Sequence, residues 1–234
     1  WRSQEAVAYE KYKDLLEGFD VVGDHSWSKQ AYQSKNEKVV GTCHSTAPYQ
    51  KPPPRDFANF LGVSHGHSRN LSKVMRVPVR TCFNPVDVEA FPFETVKTDR
   101  VLSLTRIMPQ KGIHHFLNMI ETLKLKADIA GDDSTLVPDQ GYVNQVKQKC
   151  AQSAFITYHG LVDDKKRVQL LKDAKVLVCF KDAGFEEIFG LNIVEALACG
   201  TPVVSISTWG ADNIIVNGKN GFVEDTPEKV AERV

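Results

Sequence analysis

Short apolar runs alternate with amphipathic stretches from about residue 100 onward, and this alternation predicts strands that are each followed by a helix. The runs that predict strands are 101–105, 127–130, 155–158, 176–180 and 202–206. Helical spacing of apolar residues covers 111–124, 142–153 and 163–174, and 225–228 carries the signals of a further helix start. Because strands that alternate with helices usually form a parallel sheet, this half of the chain predicts a nearly complete α/β domain.

The first ninety residues contain fewer elements than the rest of the chain. The pattern predicts a helix over 6–16, strands at 20–22, 38–42 and 60–64, and a stiff proline-rich loop at 51–55. These strands are too few for a complete doubly wound sheet. The sequence therefore predicts an incomplete first domain over 1–94 and a second domain over 95–234, with a hinge at 92–99.

Composition excludes several classes of protein. The formal net charge is zero, with 42% apolar and 25% charged residues, so we expect a globular protein without a nucleic-acid partner. We predict no transmembrane segment, because no apolar stretch reaches the length of a spanning helix. The five cysteines are scattered and form no C-x-x-C, which favours a reduced, cytoplasmic protein.

Two carboxylates, Glu187 and Glu195, stand with seven residues between them where the strand 176–180 passes through a glycine-marked loop into a helix. Backbone N–H groups at the start of that helix can bind a diphosphate, and we expect those near Phe189, Gly190 and Leu191 to do so. A carboxylate in the loop can accept hydrogen bonds from sugar hydroxyls, and one further along can reach a ribose. This pattern predicts a nucleotide-sugar site.

The same two carboxylates could instead be solvated residues of a loop and a helix face, with no ligand at all. A glycosidase pair is disfavoured, because eight positions along a helix span about 12 Å, beyond the separations that hydrolases use. A dinucleotide-dependent dehydrogenase is also disfavoured, since no G-x-G-x-x-G follows a predicted strand.

Arg106 and Lys111 stand five residues apart at the turn between the strand 101–105 and the helix 111–124. A lysine in the first turn of a helix opposes the helix dipole, and a bound diphosphate would offset that cost. Arg106 can bind phosphate through two parallel hydrogen bonds, while Lys111 acts as a mobile point charge. The alternative is a pair of solvated surface cations.

The segment 187–203 resembles the E-x7-E signature of retaining glycosyltransferases of family 4, within the group 1 glycosyl transferases, with Ile188 where proline is common. The segment 103–112 resembles the G-R-x-x-x-x-K-G element of that family, with Thr105 in place of glycine. Residues 84–87 resemble its N-G/P-V-D element. Asn213 replaces a glutamate that is usual in the family, and we assign it no role.

The resemblance implies an α/β GT-B fold with two Rossmann-like domains whose parallel sheets face one another across a cleft. The chain is then expected to be a fragment that lacks the start of the N-terminal domain. Implied roles are sugar binding by Glu187, ribose binding by Glu195, and neutralisation of the leaving diphosphate by Arg106 and Lys111. His44 would face the donor sugar, unless its own loop satisfies it.

The resemblance also implies that Gly160 and Leu161 contact the base, and that a hexose moves with retention from a UDP- or GDP-linked donor rather than an ADP-linked one. The acceptor would be a saccharide, lipid or other hydroxyl. No cofactor and no metal are expected, since the chain has no D-x-D. We expect a cytoplasmic protein, either free or peripheral at the inner membrane face. The alternative function is a non-catalytic nucleotide-sugar-binding or regulatory subunit.

Overall fold

The structure, a computed structural model, describes residues 2–25, 38–46 and 59–234. Contacts divide the chain into a first unit, Trp1–Asn84, and a second unit, Pro85–Val234. Each unit is built on its own parallel sheet. The fold is therefore α/β, as predicted.

The first unit contains a parallel sheet in the order β1-β2-β3-β4, with β1 Val22–Asp24, β2 Val39–Thr42, β3 Phe60–Gly62 and β4 Arg80–Thr81. Helix α1, Arg2–Tyr12, leads into a 3-10 helix at Lys13–Gly18, so the predicted helix 6–16 covers parts of both. The predicted strand 20–22 begins late, at Val22, because residues 20 and 21 are exposed. The predicted loop 51–55 lies outside the described residues.

One prediction for the first unit was wrong. The predicted strand 60–64 ends at Gly62, and helix α2, His65–Met75, which the sequence did not predict, follows it. Ser64 caps this helix, since its side-chain oxygen accepts a hydrogen bond from the His67 N–H at 3.2 Å. Leu71 and Met75 of α2 pack against Val39 and Phe60 of the sheet to form a small core.

The second unit contains a parallel sheet in the order β10-β9-β8-β5-β6-β7. Its strands are β5 Val101–Leu104, β6 Ala127–Ala130, β7 Ile156–Gly160, β8 Val176–Cys179, β9 Val203–Ile206 and β10 Gly221–Glu224. Its helices are α3 Ile113–Leu123, α4 Gln140–Gln152, α5 Asp164–Asp173, α6 Leu191–Ala198, α7 Ala211–Ile214 and α8 Pro227–Arg233. This is the doubly wound order, in which successive connections reverse direction between β5 and β8.

The predicted helix 111–124 starts later than the sequence suggests. Pro109–Lys111 forms a 3-10 turn, Gly112 takes a left-handed conformation with φ of 62°, and α3 begins at Ile113. Lys111 therefore lies before the helix, and the dipole argument for its position does not apply. The sequence also missed strand β10 and the short helix α7.

Apolar clusters cover the two faces of the second sheet. One includes Phe116 and Ile120 of α3, and the other includes Leu102, Leu177 and Ile193. The segment predicted as a hinge, 92–99, is bound to this unit. Its Lys97 Nζ donates to the carbonyls of Lys172 at 2.8 Å and Cys199 at 2.9 Å and to Thr201 Oγ1 at 2.9 Å.

Candidate active site

A crevice lies at the carboxyl ends of β5 and β8, the two neighbouring strands at which the connections reverse direction. In doubly wound sheets ligands bind at this switch point, because the loops on either side diverge and leave a space. The crevice is partly enclosed by protein and partly open to solvent. Its polar lining comes from Thr105, Lys111, Cys179, Lys181, Glu187, Asn192, Ser205 and Thr208.

Two of the predicted site residues meet in this crevice. Lys111 Nζ donates a hydrogen bond to Glu187 Oε2, and the two side chains are only 20% and 31% exposed. The Lys111 Nζ also lies 4.9 Å from the centre of the Phe185 ring. The turn before α3 and the loop after β8 thus bring a cation and a carboxylate, distant in sequence, to one point.

Close packing of backbone holds this turn against the β8 loop. A Cβ at Gly112 would lie 2.7 Å from Phe180 Cβ and 3.0 Å from the Lys181 nitrogen, so a side chain at position 112 would push the two segments apart. The Asp182 N–H donates to the Gln110 carbonyl at 3.0 Å. Lys111 is therefore fixed beside the loop that carries Glu187.

The neighbouring carboxylate, Glu186, makes different contacts, and the sequence indicated no role for it. Its Oε2 accepts from Lys181 Nζ at 3.0 Å, and its Oε1 accepts from the Trp209 N–H at 2.6 Å. The Glu187 carbonyl accepts from the Gly210 N–H at 3.0 Å. These bonds hold the loop backbone, so that Glu187, and not Glu186, turns its side chain to Lys111.

The start of α6 closes one side of the crevice. Gly190 caps the helix with φ of 84°, Phe189 before it is buried, and Leu191 after it is exposed. Asn192, which the sequence did not single out, donates through Nδ2 to the Leu104 carbonyl at 2.9 Å. That bond ties the first turn of α6 to the end of β5.

Arg106 lies in the same loop as Lys111 but is not brought to Glu187. Its side chain is 59% exposed, and its Nε is 3.9 Å from Asp132 Oδ2. Hydrogen bonds from Ser134 hold the pKa of Asp132 below its usual range, and the nearby Arg106 charge acts in the same direction.

Glu195 is buried on α6 and is not among the residues that line the crevice. Its Oε1 accepts from Arg167 Nη1 of α5 at 2.8 Å, and the Arg167 guanidinium lies 5.5 Å from the Phe91 ring centre. Burial raises the pKa of Glu195, and the Arg167 charge opposes that rise. The sequence did not indicate this pairing, because Arg167 looks like an ordinary helix-surface residue.

Gly160 and Leu161 lie at the end of β7, an edge strand of the sheet. The Leu161 N–H donates to Asp133 Oδ1 at 3.3 Å, while the Tyr158 hydroxyl donates to Asp133 Oδ2 at 3.0 Å. Lys147 also pairs with Asp133 at 2.7 Å. These residues border a separate, open depression at the same edge of the sheet.

In the first unit, the histidines that follow β1 and β2 lie together. His25 Nδ1 is 2.9 Å from His44 Nε2, and the two rings stack with centres 5.2 Å apart. His65 and His67, two apart in sequence, face different surroundings. His67 is fully buried, whereas His65 is exposed beside Thr81 and Phe83.

The strand order and the charged crevice define an α/β protein of the GT-B fold. The chain belongs to the group 1 glycosyl transferases, since the model of the family described as "Glycosyl transferases group 1" matches residues 89–234, more than half of its length.

Two curated relatives illustrate the similarity. Sucrose synthase 2 of Oryza sativa subsp. japonica is 25% identical over 147 residues, 56% of this chain and 17% of the relative. A GDP-mannose-dependent alpha-(1-6)-phosphatidylinositol dimannoside mannosyltransferase of Mycobacterium tuberculosis is 29% identical over 121 residues, 51% of this chain and 31% of the relative. The matches thus span less than a third of either relative.

Solved structures share the fold at lower identity. Alr3699/HepE of Anabaena in complex with UDP and glucose gives a TM-score of 0.76 at 18% identity, over 96% of this chain and 70% of that one. Sucrose-phosphate synthase from Thermosynechococcus elongatus gives a TM-score of 0.75 at 17% identity, over 97% of this chain and 65% of that one.

None of the helices in the described ranges is long and apolar enough to cross a bilayer.

Proposed function

We propose that this chain is part of a retaining glycosyltransferase that moves a hexose from a nucleotide diphosphate sugar to an acceptor hydroxyl. The observation that carries the proposal is the meeting of Lys111 with Glu187 in the crevice between β5 and β8. A phosphate ligand and a sugar ligand are then neighbours, as a nucleotide sugar requires. Family membership supports the reaction class.

In this proposal the diphosphate replaces Glu187 as the partner of Lys111. The amides at the start of α6, around Phe189, Gly190 and Leu191, would donate to the phosphate oxygens. Arg106, which is more than half exposed, can swing from Asp132 towards the same anion. Charge that develops on the leaving diphosphate is then met by fixed donors, and electrostatic stabilisation of this kind usually contributes most to catalysis.

Glu187, once released from Lys111, would accept hydrogen bonds from the sugar hydroxyls. Glu195 would bind the ribose, and its pairing with Arg167 would hold the carboxylate ionised despite burial. For His44 we propose a hydrogen bond to a sugar hydroxyl, and for Gly160 and Leu161 contacts with the base.

The donor is proposed to be linked to UDP or GDP. A solved structure with this fold contains UDP and glucose, and relatives are described as GDP-mannose-dependent, which supports both nucleotides. Retention, and transfer without a metal on the diphosphate, follow from the resemblance of the E-x7-E segment. We propose a saccharide, lipid or other hydroxyl as acceptor and a cytoplasmic location, free or peripheral at the inner membrane face.

Substitution of the two adjacent carboxylates separates their roles. Glu187→Gln should lower the ratio of the UDP-glucose affinity to the UDP affinity at least tenfold. If the chain binds GDP, the same should hold for GDP-mannose and GDP. Binding of the nucleotide alone should be unchanged or tighter, because Lys111 loses its internal partner. Calorimetric titration measures both affinities, and donor hydrolysis measures turnover, which should fall at least a hundredfold.

Glu186→Gln is the matched control, since glutamine can still accept from the Trp209 N–H. It should retain the preference for the sugar nucleotide. Wild-type turnover in a folded Glu187→Gln chain would contradict the proposed role. Tight donor binding by the wild type without hydrolysis or transfer would instead favour a non-catalytic donor-binding subunit.

A further inference from the structure

Three side chains with metal-binding atoms meet beside the crevice. They are His114 and His115, in the first turn of α3, and Asp182, in the loop after β8. One nitrogen from each imidazole and one oxygen of the carboxylate lie within 4.8 Å of one another. All three residues are half-buried, so they are sheltered but reachable from solvent.

The backbone holds the two sides of this cluster together. The turn before α3 packs against Phe180 and Lys181 at Gly112, and the Asp182 N–H donates to the Gln110 carbonyl at 3.0 Å. The His114 and His115 ring centres are 4.2 Å apart. The same packing that places Lys111 therefore sets the spacing of the backbone segments that carry this cluster.

The surroundings leave the carboxylate without a cation. In the described ranges, no lysine, arginine or histidine lies within ion-pair distance of Asp182, whose Oδ1 accepts only a local hydrogen bond from the Ala183 N–H at 2.9 Å. His114 Nδ1 lies 3.1 Å from the Tyr142 hydroxyl oxygen. When the ring binds metal through Nε2, Nδ1–H can donate to that oxygen, the kind of outer contact that orients metal-binding histidines.

We propose that His114, His115 and Asp182 bind one zinc ion, with water as the fourth ligand. Two imidazole nitrogens and a carboxylate oxygen suit zinc, and its ligand distances of about 2.0–2.2 Å place the donors roughly 3.3 Å apart. Side-chain rotations that shorten the distances between donor atoms by up to about 1.5 Å reach that value. The ion stays off the Lys111–Glu187 pair and takes no part in sugar transfer.

Zinc at this cluster would join α3 to the loop that leads from β8 to Glu187. Asp182 and Glu187 stand five positions apart in one loop, and the Lys181–Glu186 ion pair is formed within the same loop. The bound ion would therefore restrain the loop that presents the proposed sugar ligand. This consequence concerns loop motion and does not depend on which donor the crevice takes.

The test begins with titration of Zn²⁺ and, separately, Mg²⁺ into the whole chain after chelator treatment. The wild type should bind one Zn²⁺ with a micromolar or lower Kd and should not bind Mg²⁺, which prefers oxygen ligands. Asp182→Asn and His115→Gln should weaken Zn²⁺ binding at least thirtyfold. His65→Gln, a change at an exposed histidine of the first unit, should leave it unchanged.

Two measurements on the wild type keep the test decisive if a variant fails to fold. Co²⁺ should give the strong visible absorption of a four-coordinate site, and Zn²⁺ should slow hydrogen exchange in peptides covering 181–187. Absence of Zn²⁺ binding by the wild type overturns the proposal. Unchanged Zn²⁺ affinity in a folded Asp182→Asn chain also overturns it, and would direct attention to the paired His25 and His44.

Discussion

At the scale of single residues, the Glu187 carboxylate occupies the place beside Lys111 that we propose for a bound anion. Lys111 and Glu187 neutralise each other in a partly desolvated place, where a charge-assisted hydrogen bond is stronger than in water. In the proposed complex, a diphosphate bound to Lys111 would displace Glu187, and the released carboxylate would then face the sugar. This one contact thus joins the residue proposed to bind the diphosphate to the residue proposed to bind the sugar.

Lys111→Met should weaken UDP or GDP binding about 10- to 100-fold, because a hydrogen bond to a charged group contributes about 1.5–3 kcal/mol. Binding of the free nucleoside, which has no phosphate, should be unchanged. Calorimetric titration of each ligand measures both effects. Equal losses for nucleotide and nucleoside would contradict a phosphate role for Lys111.

Arg106→Met is the comparison for this substitution, as it removes a second cation from the same loop. Its effect on nucleotide affinity should be smaller, since the Arg106 guanidinium is mostly exposed and an exposed charge contributes less. A larger effect than that of Lys111→Met would assign the main phosphate contact to Arg106.

The sequence singled out two carboxylates, Glu187 and Glu195, but it did not show how they and their neighbours pair with cations. Lys181 with Glu186 and Arg167 with Glu195 are contacts between long side chains whose partners are set by the fold. Such contacts depend on packing that no local pattern encodes. The E-x7-E spacing marks Glu195 as special, yet only the structure shows that α5 supplies its partner.

At the scale of elements, the turn at 109–112 decides where Lys111 lies. Gly112→Ala should destabilise the second unit for two reasons. A left-handed residue with a Cβ costs about 1–2 kcal/mol, and this Cβ would also press on Phe180 and Lys181. Urea unfolding measures the loss of stability, and nucleotide titration should show weaker binding because Lys111 moves.

Gly218→Ala separates these two causes. Gly218 has a similar φ of 76°, but nothing lies within 4 Å of the Cβ that it would gain. The Gly218→Ala variant should therefore lose only the stability that the left-handed backbone conformation costs, and it should retain nucleotide binding. Equal losses in both variants would mean that the β8 loop yields to the new methyl group.

The sequence predicted strands correctly where burial on both faces of the sheet requires a mostly apolar run of residues. Strand β6 was predicted with its observed bounds, and β8 and β9 within one residue. Strand β10 was missed because it lies at the sheet edge and is only partly buried. The start of α2 was missed because glycine, serine and two histidines indicate a loop, whereas the Ser64 cap and tertiary packing favour a helix.

At the scale of the whole molecule, the two units have separate cores and should differ in their response to acid. His67 is fully buried in the first unit. Its Nε2–H donates to the Ser45 carbonyl at 2.8 Å, and its Nδ1 accepts from the Val63 N–H at 3.2 Å. Burial is the main cause that lowers the pKa of His67, so the folded unit holds the neutral ring.

The unfolded chain therefore binds a proton more readily than the folded one just below pH 6.5, and the first unit should lose stability as the pH falls from 7.5 to 5.5. For one such group the loss is at most about 1.4 kcal/mol per pH unit. Hydrogen exchange in peptides covering 60–75 measures it. His67→Gln should be less stable at pH 7.5 but less sensitive to acid. A stability profile against pH like that of the wild type would contradict this role of His67.

The strand order also fixes when the crevice can exist during synthesis. Strand β5 leaves the ribosome before β6 and β7 and can pair with β6 early, but its other neighbour is β8. Lys111 and Glu187 are 76 positions apart, and Leu104 and Asn192 are 88 apart. A nascent chain thus carries the exposed carboxyl end of β5 until β8 and α6 have emerged, and only then can the crevice form.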